Sequence, residues 1–239
     1  MESIQTPWFG VTMGLLGIIV GYAISLNVNG QPAQLPSAPA PAPTPTAAAP
    51  TPSAPAPMPD AGEVDPVTDD DYIYGNPDAE ITLIEWSDAE CPFCKRHHAT
   101  PKQIVDQYDG KVNWVYRHYP LGFHPNAQKT AEGQECAGEL GGNDAFWDYT
   151  DIVFEKGAVA ANLTAYAVEL GLDEADFEEC LNSDRYAQKV KDQMASGSKA
   201  GVQGTPGNVL LHNETGEAKL VSGARPVSAF TVVIDEMLQ

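Results

Sequence analysis

A chain of 239 residues with 33 Asp and Glu against 13 Lys and Arg carries a formal charge of −20. That balance repels phosphate backbones and sets nucleic acid aside as a partner. The charges are also confined. After Glu2 none occurs until Asp60, and every Lys and Arg lies at Lys95 or later, so the first quarter of the chain is a different material from the rest.

Residues 8–26, WFGVTMGLLGIIVGYAISL, form an uncharged, mostly apolar run, close to the ~20 helical residues that cross a bilayer core. A cleaved signal peptide usually begins with a basic segment and has a shorter apolar core; MESIQTP has no Lys or Arg. The expectation is one uncleaved transmembrane helix within an anchor over 1–29. Gly10/Gly14 and Gly17/Gly21 have the GxxxG spacing that lets two helices approach, so the run also predicts weak dimerisation. Residues 30–59 are nearly all Pro, Ala, Thr and Ser. Such a segment cannot bury enough apolar surface to fold and favours extended polyproline II. At ~3.1 Å per residue it would reach roughly 90 Å, which suits a spacer tethering a soluble domain.

The working domain is then 60–239. EITLIEWSD (80–88) predicts a buried strand and KVNWVYRHYPL (111–121) another. Between them a helix is expected over about 92–108. From about 124 to 201 the pattern turns helical, with breaks at 141–144, 155–158, 171–176 and 182–184 and with Asn143, Asp173 and Ser183 as N-caps by residue type. NVLLHN (208–213), the turn ETGE and AKLVSG (218–223) predict a hairpin, and 226–238 a closing amphipathic helix with Pro226 at its start. This order suits an α/β mixed sheet layered with helices.

Chemistry concentrates in AECPFCKRHH (89–98). Cys91-Pro92-Phe93-Cys94 follows a strand and opens a helix, where free N–H groups lower a thiolate's pKa. Pro92 is tolerated at such a start. Cys91 is expected as the exposed nucleophile and Cys94, one turn in, as the shielded resolving thiol. The same stretch also offers metal ligands, because Cys94 shares a helix face with His97 and His98. No second ligand pair of finger spacing follows, so no metal site is expected. His97 and His98 then read as partly exposed helix residues, and His118 and His124 as structural or surface ones. Glu85, six positions before Cys91 in an apolar strand, is either a surface carboxylate or a buried proton acceptor. Thr205-Pro206 at a strand entry is either a plain turn or a cis corner.

IEWSDAECPFCKRHH, VYRHYPLGFHPNAQKTAEGQECA, FWDYTDIVFEKG and GVQGTPGNVLL together resemble the DsbA-like thiol–disulfide oxidoreductases over about 70–239. The resemblance implies a thioredoxin fold with a helical insertion over about 124–201, and no cofactor beyond the two sulfurs. It implies a cis Pro206 beside the CxxC, with Thr205 and Pro206 holding an extended substrate, and a proton-relay role for Glu85. It also permits a second disulfide between Cys136 and Cys180, worth roughly 4 kcal/mol in the chain-entropy picture, with two free buried thiols as the alternative. Implied partners are cysteine-containing exported proteins and a membrane redox partner that recycles the pair, with the catalytic domain on the extracytoplasmic side. Strongly oxidising members carry His where this chain has Phe93. That change, with Glu90 beside Cys91, predicts a weaker thiolate and a less oxidising disulfide. Gly207-Asn208 after the proline stand where bulkier β-formers are expected. Electron flow in the opposite direction, as reductase or isomerase, uses the same pair; a non-catalytic peptide-binding module would need neither cysteine.

Overall fold

The sheet is built on two central strands that are buried on both faces, which is why their sequences read as near-continuous apolar runs rather than alternating ones. The computed structural model describes residues 58–239; the expected anchor and nearly all of the expected linker lie outside these residues. In chain order the elements are β1 (Ile73–Tyr74), β2 (Ile81–Ser87), α1 (Pro92–His97), α2 (Ala99–Gln107), β3 (Val112–His118), α3 (Ala127–Lys156), a 3-10 turn (Ala160–Asn162), α4 (Leu163–Glu169), α5 (Glu174–Asn182), α6 (Ala187–Lys199), β4 (Gly207–His212), β5 (Ala218–Ser222) and α7 (Val227–Met237). The strand order is β1-β3-β2-β4-β5. Only β2 and β3 run parallel, joined by the α1–α2 crossover; the other neighbours are antiparallel.

Register sorts the side chains. Leu83, Glu85 and Ser87 of β2 stand opposite Trp114, Tyr116 and His118 of β3, and Glu85 also pairs with Asn208 of β4. This face meets Cys91, Cys94, Phe146, Trp147 and Phe230 in one core cluster, which holds Leu83, Trp114, Tyr116 and Leu210. The other face, with Ile84, Trp86, Val115 and Val209, packs with Ala200, Val202 and Met194. A Cβ at Gly197 would lie 2.6 Å from the Trp86 ring, so that glycine lets α6 close on the sheet. The Trp86 Nε1–H donates to the Gln193 carbonyl at 2.9 Å, which satisfies the buried indole.

The expected order of elements holds, with three local differences. The helix expected over about 92–108 is split at His98, because Pro101 has no N–H for the His97 carbonyl and its ring crowds that oxygen. Residue type misassigned two caps. Asp173 does cap α5, accepting from the Ala175 and Asp176 N–H groups. The Asn143 side chain instead accepts from the Ile73 N–H and so ties down β1, while the Ser183 hydroxyl donates to the Cys180 carbonyl at the end of α5. Strand β1 has no signal of its own in the sequence, being two residues long. The expected break over 141–144 appears as a kink at Gly142, whose φ of 76° suits glycine. Cys136 and Cys180 are joined, with Cα atoms 5.8 Å apart, so the helices of the insertion are stapled across its own small core.

Candidate active site

Beyond β2 the chain turns through Asp88-Ala89-Glu90 to reach Cys91, and both acidic side chains of this turn are engaged. The Asp88 carboxylate accepts from the N–H of Glu90 and of Leu121, each at 2.8 Å, and meets His124 Nδ1 at 2.8 Å. The Glu90 carboxylate accepts from Asn126 N–H at 2.8 Å and from its side-chain amide at 3.0 Å. The loop leading into the insertion is thereby clipped to the turn that presents the cysteines. Glu90 is held in that clip, its carboxylate turned onto Asn126 and not left free beside the sulfur as the sequence suggested.

Cys91 caps α1 with Pro92 in the first turn. Its Sγ donates to the Thr205 carbonyl at 3.6 Å, and the Thr205–Pro206 peptide is cis. The sequence suggested an exposed nucleophile, yet Cys91 is only 4% exposed, because Thr205 lies across it; Cys94 is fully buried. Both are free thiols. The Cys91 thiol is drawn down to about 5, chiefly by a hydrogen bond from the Cys94 thiol, then by the Thr205 hydroxyl and the Cys94 and Phe93 N–H groups, all against the opposing effect of burial. The Thr205 hydroxyl has no other partner, so it is free to donate once Cys91 ionises. Burial, the neighbouring sulfur and the Glu85 charge push the Cys94 thiol far up. The pair is thus split into one easily ionised sulfur and one that is not.

Glu85 is buried beneath the pair, and burial lifts its carboxyl from 4.5 to about 7. The Ser87 hydroxyl and Trp114 N–H oppose that shift and approach without closing a full hydrogen bond. Tyr116, its cross-strand neighbour, is likewise pushed up by burial. The surface alternative for Glu85 is therefore removed, and its carboxyl, titrating at about 7, acts electrostatically on Cys94.

The histidines depart most from expectation. His97 is buried, not partly exposed, and its Nε2 meets Asn208 Oδ1 at 3.1 Å. His98 stacks on Phe154 and meets Asp151 at 2.6 Å, joining α1 to the insertion. His118 is buried against Glu135, which also holds Lys189. His124 lies on Asp88. Among the described residues no group of three or more His, Cys, Asp or Glu is placed to hold a metal. Sequence reasoning also missed Arg117, whose guanidinium pairs with Asp71 and caps two carbonyls of the segment before β1. Pro92 and Phe93 of the CxxC are open to solvent, Phe93 at 53% exposure, and Phe123 stands out in the clipped loop.

A mixed sheet, a CxxC at a helix start, a buried acid below and a cis-proline loop across define a thiol–disulfide oxidoreductase of thioredoxin fold. The thioredoxin family model matches residues 67–222, and the chain belongs to the thioredoxin family, within its DsbA-like oxidoreductases. Pseudomonas aeruginosa DsbA2 is 31% identical, with a TM-score of 0.63 covering 73% of this chain and 97% of that one. A thioredoxin-like oxidoreductase from Silicibacter pomeroyi is 25% identical, with a TM-score of 0.60 over 71% of this chain and 92% of that one. Among curated proteins, the Na(+)/H(+) antiporter NhaA 3 of Salinispora tropica is 35% identical over 146 residues, 60% of this chain. The chain spans about a fifth of the length of the curated relatives it matches, 22% in that case.

Proposed function

We propose that Cys91 and Cys94 are the redox pair of a membrane-tethered, extracytoplasmic enzyme that forms disulfides in exported proteins. The observation that carries this reading is the division of the pair, a Cys91 thiol drawn down to about 5 beside a strongly raised Cys94. In the oxidised enzyme a substrate thiolate attacks Cys91 Sγ, and the Cys91–Cys94 bond breaks. Cys94 leaves with the electron pair and takes a proton from Glu85, whose carboxyl holds one up to about pH 7. A second substrate thiolate then attacks the substrate sulfur of the mixed disulfide and expels the Cys91 thiolate, a good leaving group because its pKa is low. The substrate has lost two electrons and the enzyme is a dithiol. A membrane redox partner that accepts two electrons restores the disulfide. Thr205 and Pro206 hold the substrate strand beside Cys91.

The Cys136–Cys180 bridge supports an oxidising compartment, and residues 8–26 supply the tether. Among the described residues no helix is long and apolar enough to cross a membrane. Oxidation of reduced ribonuclease by the wild type and its loss in Cys91→Ala test the activity. Trapping the cellular redox state tests direction: a pair found mostly as disulfide supports the oxidase, and one found mostly as dithiol replaces it with a reductase or isomerase.

A further inference from the structure

Asn208 is a polar residue in the middle of the core, fully buried two positions after Pro206. Its amide nitrogen donates to the Val221 carbonyl at 3.0 Å and the Gly223 carbonyl at 3.3 Å. Both targets accept only, so the nitrogen must face them and the oxygen must face His97. That oxygen can only accept, so His97 carries its proton on Nε2. The ring is neutral, since burial draws it down to about 4, and Nδ1 is bare, buried and without a partner. The imidazole packs on Phe230 of α7, with ring centroids 5.6 Å apart.

These contacts close a ring that starts and ends on α1. His97, its last residue, holds Asn208; Asn208 holds the end of β5 at Val221 and Gly223; the Gly223 N–H donates to the Pro206 carbonyl at 2.9 Å; the preceding Thr205 carbonyl meets Cys91, the cap of the same helix. Gly207 completes the geometry, because a Cβ there would lie 2.4 Å from Val202 and lift the strand away. An apolar pair would fill the same space while allowing β4 to slide. A directed hydrogen bond costs desolvation and returns a single register.

We propose that His97 and Asn208 are positioning residues that lock the Thr205–Pro206 loop against Cys91, fixing how a substrate strand meets the reacting sulfur. This rests on Cys91–Cys94 being the redox pair. The test uses His97→Leu, Asn208→Leu, the double variant and His97→Gln, whose amide N–H reaches where Nε2–H does. KM for a cysteine-containing peptide and the thiolate absorbance titration of Cys91 are measured, with urea unfolding as control. Each Leu variant is expected to raise KM about fivefold, the factor one neutral hydrogen bond is worth, and to move the Cys91 titration upward. The double variant should be no worse than either single one, and His97→Gln should recover most of the loss. Variants that lose stability but keep KM and titration overturn the proposal, as do additive effects. Should the variants fail to fold, nitrogen NMR of the wild type decides: a protonated Nε2 and bare Nδ1 support the lock, and the opposite tautomer overturns it. Wild-type inactivity toward reduced ribonuclease would instead remove the redox reading, and the titration and tautomer would still report on the lock.

Discussion

Glu85→Gln keeps the size of the side chain and removes its charge, so it isolates what an ionisable group costs beneath Cys91 and Cys94. In the folded protein the carboxyl titrates at about 7, against 4.5 for the unperturbed group. Below pH 4.5 both states bind the proton and the group contributes no pH dependence. Between 4.5 and 7 the unfolded chain releases the proton while the folded one keeps it, so stability falls as pH rises; above 7 both are ionised and the loss is complete. At 1.36 kcal/mol per pH unit the total is about 3 kcal/mol, a large share of a typical domain's stability. Cys91 titrates too, but it does so in wild type and variant alike and largely cancels in their difference. Urea unfolding of both reduced proteins at pH 4, 6 and 8 is the assay. The two should have similar stability at pH 4, and the variant should gain progressively, reaching about 3 kcal/mol by pH 8. A difference that does not change with pH, or one that favours the wild type as pH rises, would refute a proton-holding carboxyl at this position.

Other outcomes follow from the same geometry. The Cys91 thiolate absorbance should titrate near pH 5, and Cys94→Ala should move that midpoint upward by removing the largest hydrogen bond; an unchanged midpoint would mean that the Cys94 thiol does not lower the Cys91 pKa. A thiol at about 5 lies between those of thioredoxin (≈ 7) and DsbA (≈ 3.5). The potential from glutathione equilibration should therefore lie between roughly −270 and −120 mV, and a value at the upper end would remove the expected penalty of Phe93. Glu90→Gln should leave the Cys91 titration in place, since that carboxylate is bound to Asn126; a clear downward move would restore its suspected repulsion. Replacing Cys136 and Cys180 together by Ala should lower unfolding stability by roughly 4 kcal/mol while ribonuclease oxidation survives; loss of activity in the folded variant would mean the bridge takes part in the chemistry.

What could be read in the sequence was whatever a residue announces locally. β2 and β3 are apolar runs, Asp173 is a cap beside a break, and Cys91-Pro92-Phe93-Cys94 states its chemistry by spacing. Contacts set by register stayed hidden. His97 is one of two adjacent histidines with identical local signals, yet it points onto the sheet while His98 turns to Asp151. Only the pairing of Asn208 with Glu85 brings Asn208 beneath α1. One signal was available: a polar residue shortly after the proline, leading into the apolar run Val209-Leu210-Leu211, requires a buried partner. Arg117 gave the same hint in a strand of aromatics and valines, and its partner Asp71 lies 46 positions away.

The strong acidity of the chain and the low pKa of Cys91 look contradictory, since negative charge disfavours a thiolate. Distance resolves the matter. Charges farther than about 8 Å are largely screened at physiological salt, so most of the −20 never reaches Cys91. The two acids adjacent in sequence are turned away onto Leu121, His124 and Asn126. What lowers the sulfur's pKa is a set of donors: the Cys94 thiol, the Thr205 hydroxyl and the first N–H groups of α1. Local hydrogen bonds, not the net charge, therefore set the sulfur's ionisation.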